Sequence, residues 1–284
     1  MLDRYYFGDV TKLSQEAPVP VVMMKREEQR PGAAANVAMN CQAMGANTRL
    51  LSIVGDDIYG ETLATQLKLG CVDSLLRVDS SMNTTQKLRV IGKQQQIVRI
   101  DFESRPSAKI ESLPEFTDYD IIVFSDYGKG ALSNIQDLIK QAKALDKIIL
   151  VDPKGYSFEK YRGADLIKPN LDELRELVGG WGSEEELSVK AHKLMVDGDF
   201  KSILLTRASD GMTLFTPGGT THVKTEAIEV YDVCGAGDVA ISAFAVALTR
   251  GNCFVDAMRY ANKASGISVG RFGTVVIKEE EVFS

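Results

Sequence analysis

Tyr231-Asp232-Val233-Cys234-Gly235-Ala236-Gly237-Asp238, followed by the apolar, small-residue run from Ala240 to Thr249, is the stretch on which the reading of this chain turns. Two glycines and an alanine let the backbone approach a ligand closely, and the run that begins there has helical length and periodicity. A helix N-terminus is therefore expected to open at a glycine turn. Its unpaired N–H groups and positive dipole end suit a phosphate oxygen, or the charge that builds on a phosphoryl group in flight. Asp238 falls in that first turn, where a carboxylate is favoured and can orient an attacking hydroxyl. The same turn also fits a plain helix cap with Asp238 satisfying the dipole, so the rest of the chain has to decide.

The chain has 284 residues, 44% hydrophobic and 25% charged, which is an ordinary globular composition with enough apolar content for a substantial core. A formal net charge of -6 argues against a general nucleic-acid or anionic-membrane binder while leaving room for a local basic pocket. Four cysteines without a C-x-x-C pair and two histidines favour neither a zinc site nor a disulfide framework. No signal-peptide core and no bilayer-length apolar run is present, so the cytoplasm is expected.

Outward from the glycine turn, the second half alternates buried strand, loop and helix: strands at 121–125, 148–152, 166–168 and 202–206, helices at 134–145, 171–178 and 184–196, a hairpin of 212–215 with 221–224, and closing helices near 237–249 and 254–268. Apolar strands alternating with amphipathic helices imply an α/β sandwich with a mostly parallel sheet covered on both faces. Ligands bind such sheets beyond the carboxyl ends of the strands, where Asp126, Lys129, Asp152, Lys154, Asn170, Glu173 and Arg207 fall. The first half reads differently. Met1 to Tyr6 resembles a strand end entering a loop, 18–24 an edge ribbon, 85–91 and 96–102 a hairpin turning at 92–95. Between them come a small-residue helix to Met44, strands at 48–54 and 72–78, and a helix at 59–68.

Several residues there admit both a functional and a structural reading. Asn170 and Glu173 have the spacing of an N-x-x-E capping box, and equally the groups to hold Mg2+ directly or through its waters. Thr206, Arg207, Ser209 and Gly211 suit nucleotide phosphates or a hairpin turn. Lys154 suits phosphate charge or solvent; Asn262 suits an adenine or ribose edge or an exposed helix face.

Together these pieces resemble the ribokinase-like carbohydrate kinases, the phosphofructokinase B family, over nearly the whole chain. The G-A-G-D turn at 235–238, N-x-x-E at 170–173 and the substrate loop Pro31 to Asn36 carry the resemblance in the right order. Within the family the match leans to the kinases of heptose 7-phosphate, through Leu2-Asp3-Arg4-Tyr5, 16–22, 87–90, 94–102, Ser125 to Gly130 and Asp152-Pro153-Lys154-Gly155.

The resemblance implies one Rossmann-like three-layer kinase domain over 1–284, without a nucleotidyltransferase domain. It implies a small β-sheet lid from roughly 10–25 and 84–102 that covers the sugar and often mediates a homodimer. It further implies Asp238 as catalytic base and Gly235, Ala236 and Gly237 as anion hole. ATP and Mg2+ are the implied cofactors, served by Asn170, Glu173, Lys154, Thr206, Arg207, Ser209, Gly211 and Asn262. Asp3, Gly32, Asn36, Lys87, Arg89, Arg99, Asp101, Asp126 and Lys129 would face a phosphorylated sugar, whose existing phosphate calls for cations. The implied reaction is phosphorylation of the anomeric hydroxyl to a 1,7-bisphosphate on the way to ADP-heptose.

Three departures from the pattern carry expectations. Met1 stands where an apolar first strand should already have ended, so either the sequence is truncated or the sheet lacks a strand and Asp3 hangs from a free terminus. Ala33 replaces a glycine of the substrate loop, and Val239 a common threonine. The rival readings are another sugar or nucleoside kinase of the family and a non-catalytic sugar-phosphate-binding protein.

Overall fold

A computed structural model describes every residue but Gln94, Pro114, Glu115, Ala227, Ile228 and Ser284. In chain order it contains β1 (Leu2–Leu13), β2 (Pro20–Pro31), α1 (Ala34–Ala43), β3 (Arg49–Gly55), α2 (Ile58–Leu69), β4 (Asp73–Asp79), β5 (Gln86–Gly92) and β6 (Gln95–Phe102). There follow β7 (Ile121–Ser125), α3 (Ile135–Ala144), β8 (Ile148–Asp152), β9 (Leu166–Ile167), α4 (Leu171–Val178) and α5 (Glu184–Gly198). The chain closes with β10 (Ser202–Thr206), β11 (Met212–Thr216), β12 (Gly219–Val223), α6 (Ala236–Thr249), α7 (Phe254–Val269) and the short α8 (Glu279–Val282).

β7 to β10 run parallel, and β11 and β12 continue the sheet antiparallel. Strand alternation sends Leu150, Leu166 and Leu204 to one face, where they meet α6 and α7. Ile149, Val151, Ile203 and Leu205 face the other way, onto α3, α4 and α5. These are the three layers expected. In α3 the buried set Ile135, Leu138, Ile139 and Ala142 follows helical spacing, a one-faced stripe against the sheet. By contrast, α6 is buried without a break from Asp238 to Ala247. A helix apolar all round belongs inside, and its N-terminus, with Asp238, is thereby carried into the interior.

The lid is larger than expected. β2-β1-β5-β6 form one sheet, so the segment around Met1 to Tyr6 is no strand end entering a loop but the start of a twelve-residue strand. β1 pairs antiparallel with β2 and parallel with β5, which corrects the picture of Asp3 on a free end: it lies opposite Arg30 on one side and Lys87 on the other, and it is buried. Of the turn expected at 92–95, Gln94 lies outside the described residues. β3 and β4 pair only with each other. Among the described residues no strand joins β3 to β7. A cavity of about 380 Å³ lies between them, lined by Leu50, Leu51, Ile121, Val123, Val37 and Ala245, with none of the predicted site residues on its wall.

Candidate active site

Gly235, at φ 75°, starts α6 in the left-handed region where glycine is at home, and a side chain there would press on Asn36. The turn thus brings the first helical N–H groups beside the substrate loop. Asp238 is 5% exposed. The Tyr127 hydroxyl donates to its Oδ1 at 2.5 Å and Asn36 Nδ2 donates to its Oδ2 at 2.9 Å. Asn40 fixes the Asn36 amide by donating to its oxygen at 3.0 Å, so the nitrogen is the end that faces Asp238. Burial drives the carboxyl up to about 7, against the opposing hydrogen bonds from Asn36 and Tyr127; Asp152 pushes it up further and Lys168 pulls it down. Tyr127, buried and next to this carboxylate, has its own pKa pushed well above 10 and stays a donor. A carboxylate near 7 can accept a proton at neutral pH and release it again.

Beneath α6, Lys168 follows β9 and is 3% exposed, with its ammonium 3.0 Å from Asp152 Oδ1. Toward the surface Lys154 reaches Glu173 Oε1 at 3.0 Å, which raises the lysine's pKa. Asp238, Lys168, Asp152, Lys154 and Glu173 therefore form a run of alternating charge along the carboxyl edge of the parallel strands.

The lid contributes a second cluster. Register places Asp3, Lys87 and Asp101 side by side across three strands, with Arg89 and Arg99 one pleat along on the same face. Arg89 Nη1 lies 2.6 Å from Asp3 Oδ1, both buried. Burial works against the guanidinium charge, but Asp3 more than reverses it and the pKa is raised. Lys87 and Arg99 both hold Asp101, at 3.2 and 2.9 Å. Gly32 packs directly on the Asp3 carboxylate, where a side chain would collide with it. Asp126 is committed to Tyr161, Lys160 and the Gly128 N–H at 2.7, 2.9 and 2.7 Å. Lys129 pairs with Glu103, and with Asp126, Tyr127 and Ala33 it lines a cavity of about 100 Å³.

The nucleotide-side residues are a mixed set. Asn170 and Glu173 make the full capping box: Asn170 Oδ1 accepts from Glu173 N at 2.9 Å and Glu173 Oε2 from Asn170 N at 3.1 Å. With Glu173 Oε1 already on Lys154, the pair suits Mg2+ only through water, and no group of three His, Cys, Asp or Glu side chains that could hold a metal occurs among the described residues. Arg207 is engaged by Glu184 at 2.6 Å, although its buried Nε has no partner. Gly211, at φ 87°, closes the turn between β10 and β11, where a side chain would strike the Val223 carbonyl; Thr206 ends β10 and Ser209 is exposed. Asn262 is neither at an exposed face nor free: it is buried and donates to the Lys224 carbonyl at 2.8 Å.

Tyr127 and Lys168 are the residues of this cluster to which sequence reasoning assigned no role, and Asp152 was placed only at the ligand edge of the sheet. Tyr127 stands within Ser125 to Gly130, and Lys168 continues a buried strand just ahead of Asn170, an unusual place for a lysine. Those were the available signals.

A lid over a three-layer sheet, with a buried carboxylate in the first turn of a glycine-led helix, defines a sugar-kinase type of site. The model of the pfkB family carbohydrate kinases matches residues 4–281, and the chain belongs to that family. It is 45% identical to the D-beta-D-heptose 7-phosphate kinase of Bordetella bronchiseptica, over 99% of this chain and 92% of that protein. It is 44% identical to the Bifunctional protein HldE of Pseudomonas fluorescens, again over 99% of this chain but spanning only 61% of that protein. Among solved structures, Arabidopsis thaliana ribokinase, complexed with ribose and ATP, aligns with a TM-score of 0.81 at 21% identity, covering 99% of this chain and 94% of its own. Phosphofructokinase-2 from Escherichia coli aligns at 0.80 and 19%, covering 99% and 93%, so both share the fold. No helix of the described residues is long and apolar enough to cross a membrane.

Proposed function

We propose that this carbohydrate kinase transfers the γ-phosphoryl group of ATP to the anomeric hydroxyl of D-glycero-β-D-manno-heptose 7-phosphate, giving the 1,7-bisphosphate and ADP for ADP-heptose synthesis. The observation that carries the chemistry is Asp238, buried at the start of α6, near 7, and held by two neutral donors beside the Gly235 to Gly237 turn. The relatives' names and the basic lid face support the sugar phosphate. Three cations, Lys87, Arg89 and Arg99, stand there against two carboxylates, Asp3 and Asp101.

Asn36 and Tyr127 aim the Asp238 carboxylate, and the sugar hydroxyl takes a place at one of its oxygens. The hydroxyl oxygen attacks the γ-phosphorus in line, the bond from phosphorus to the β-bridging oxygen breaks, ADP leaves with that electron pair, and Asp238 accepts the proton late. The α6 N–H groups face the charge spreading over the transferring oxygens. Mg2+ would neutralise the triphosphate, reached through water from Glu173 and Asn170. Thr206, Arg207, Ser209, Gly211 and Lys154 border the nucleotide, with Arg207 leaving Glu184 to do so. The reading also takes 1–284 as one kinase unit, cytoplasmic, dimeric through the lid, whose edge strands expose Met23, Met24, Val98 and Phe102.

ADP release from Mg2+-ATP with the heptose phosphate, run beside ribose, fructose and fructose 6-phosphate, tests the proposal. Release with the heptose phosphate alone, reduced at least about 100-fold in Asp238→Asn, is expected. Equal release with fructose 6-phosphate, or an active Asp238→Asn, would contradict it.

A further inference from the structure

We infer that Lys168 is a catalytic residue: its ammonium contacts the phosphoryl group as it passes from nucleotide to sugar. This rests on the reading of Asp238 as the base and adds a residue to that site. Lys168 is 3% exposed, and among the described residues its ion-pair partner is Asp152. A side chain on Gly237 would lie 3.2 Å from the Lys168 nitrogen, so the ammonium sits directly against the first turn of α6. The ammonium and the helix N-terminus stand together beside the Asp152 and Asp238 carboxylates, and a cation next to helix N–H donors suits an arriving anion. An ammonium has three donors and Asp152 takes one, leaving two for non-bridging phosphoryl oxygens. Its position between Asp238 and the Lys154–Glu173 pair places it where γ-phosphate and sugar hydroxyl meet. Lys168 moves no proton and breaks no bond; it stabilises charge on the transferring group while the hydroxyl proton goes to Asp238.

The test compares Lys168→Met and Lys168→Arg with the wild type, measuring kcat, KM for ATP, and calorimetric binding of ADP and of β,γ-imido-ATP. For Lys168→Met, kcat is expected to fall about 100-fold and the preference for triphosphate over diphosphate to vanish, with ADP affinity within about twofold; Lys168→Arg should recover part of kcat. ADP binding also reports the fold. Turnover within about threefold of wild type, or equal loss of ADP and triphosphate affinity in a folded protein, would overturn the inference. If Lys168→Met does not fold, Lys168→Met with Asp152→Asn is compared with Asp152→Asn alone, since removing both charges leaves none unpaired. A further fall in kcat supports the role and no further fall overturns it. Asp238→Asn in the same assay separates the two readings: an active Asp238→Asn removes the site assignment, whereas an inactive Asp238→Asn with an active Lys168→Met removes Lys168 alone.

Discussion

Asp3 and Asp238 are both buried carboxylates, yet Asp3 is held by a guanidinium at 2.6 Å whereas Asp238 is held by a phenol and an amide. The difference separates two tasks. A carboxylate locked to Arg89 is a fixed negative charge, which under the proposed function would orient sugar hydroxyls and hold the arginine toward a phosphate. A carboxylate given only neutral donors is aimed without being neutralised, and burial then leaves it proton-affine, up to about 7. The substrate loop joins the two: Gly32 lies on Asp3, and Asn36, four residues on, donates to Asp238.

Removing the cation from the first pair should give the largest effect. Arg89→Met leaves Asp3 buried without its counter-charge and should lower stability by about 3 kcal/mol. Adding Asp3→Asn should recover much of that loss while KM for the sugar phosphate stays high. A single variant as stable as the double, by thermal or urea unfolding, would show that the pair is not coupled.

Asp238 should respond to pH in the opposite sense from a paired carboxylate. Its folded pKa of about 7 lies above the ordinary 3.8, so its contribution to stability is full below about 4 and is lost as pH rises through about 7. Asp238→Asn has no such loss. Between pH 5 and 7 the stability difference should move in the variant's favour by on the order of 2 kcal/mol, read from urea midpoints at each pH. A difference that stays constant would mean Asp238 titrates normally.

The smallest effect is expected at the joint between the two. Ala33 precedes α1 at φ 54°, ψ -133°, a conformation that favours glycine. Ala33→Gly should stabilise by about 1 kcal/mol and leave the hydrogen bonds of Asn36 in place. A destabilised Ala33→Gly would show that the Ala33 side chain, which lines the cavity beside Tyr127, contributes more than its backbone strain removes.

The parallel half was legible because its strands carry continuous apolar runs and its helices a clear period: 121–125, 148–152, 171–178 and 202–206 stand as read. Ala33, noted as standing where the loop pattern has a glycine, keeps a glycine-like φ of 54°. β1 was misread because its twelve residues mix aromatic, charged and polar side chains, and only pairing on both sides makes them a strand. Of the motif residues named from sequence, Asn36 meets Asp238 and Arg89 meets Asp3 in buried pairs. Asn262 and Arg207 were not resolved, because what they bond to lies 38 and 23 residues away and no local pattern reveals it. Tyr127 and Lys168 escaped for a related reason: each meets a helix, α6, that begins far along the chain.

The central claim is that burial with neutral donors keeps Asp238 basic, and a carboxyl carbon-13 NMR titration of the ligand-free protein tests it most directly. The resonance is assigned by its absence in Asp238→Asn. A midpoint of about 7, moving higher in Tyr127→Phe as one of the lowering hydrogen bonds is removed, is the predicted result. A midpoint below about 5, in the ordinary carboxylate range, would contradict the account.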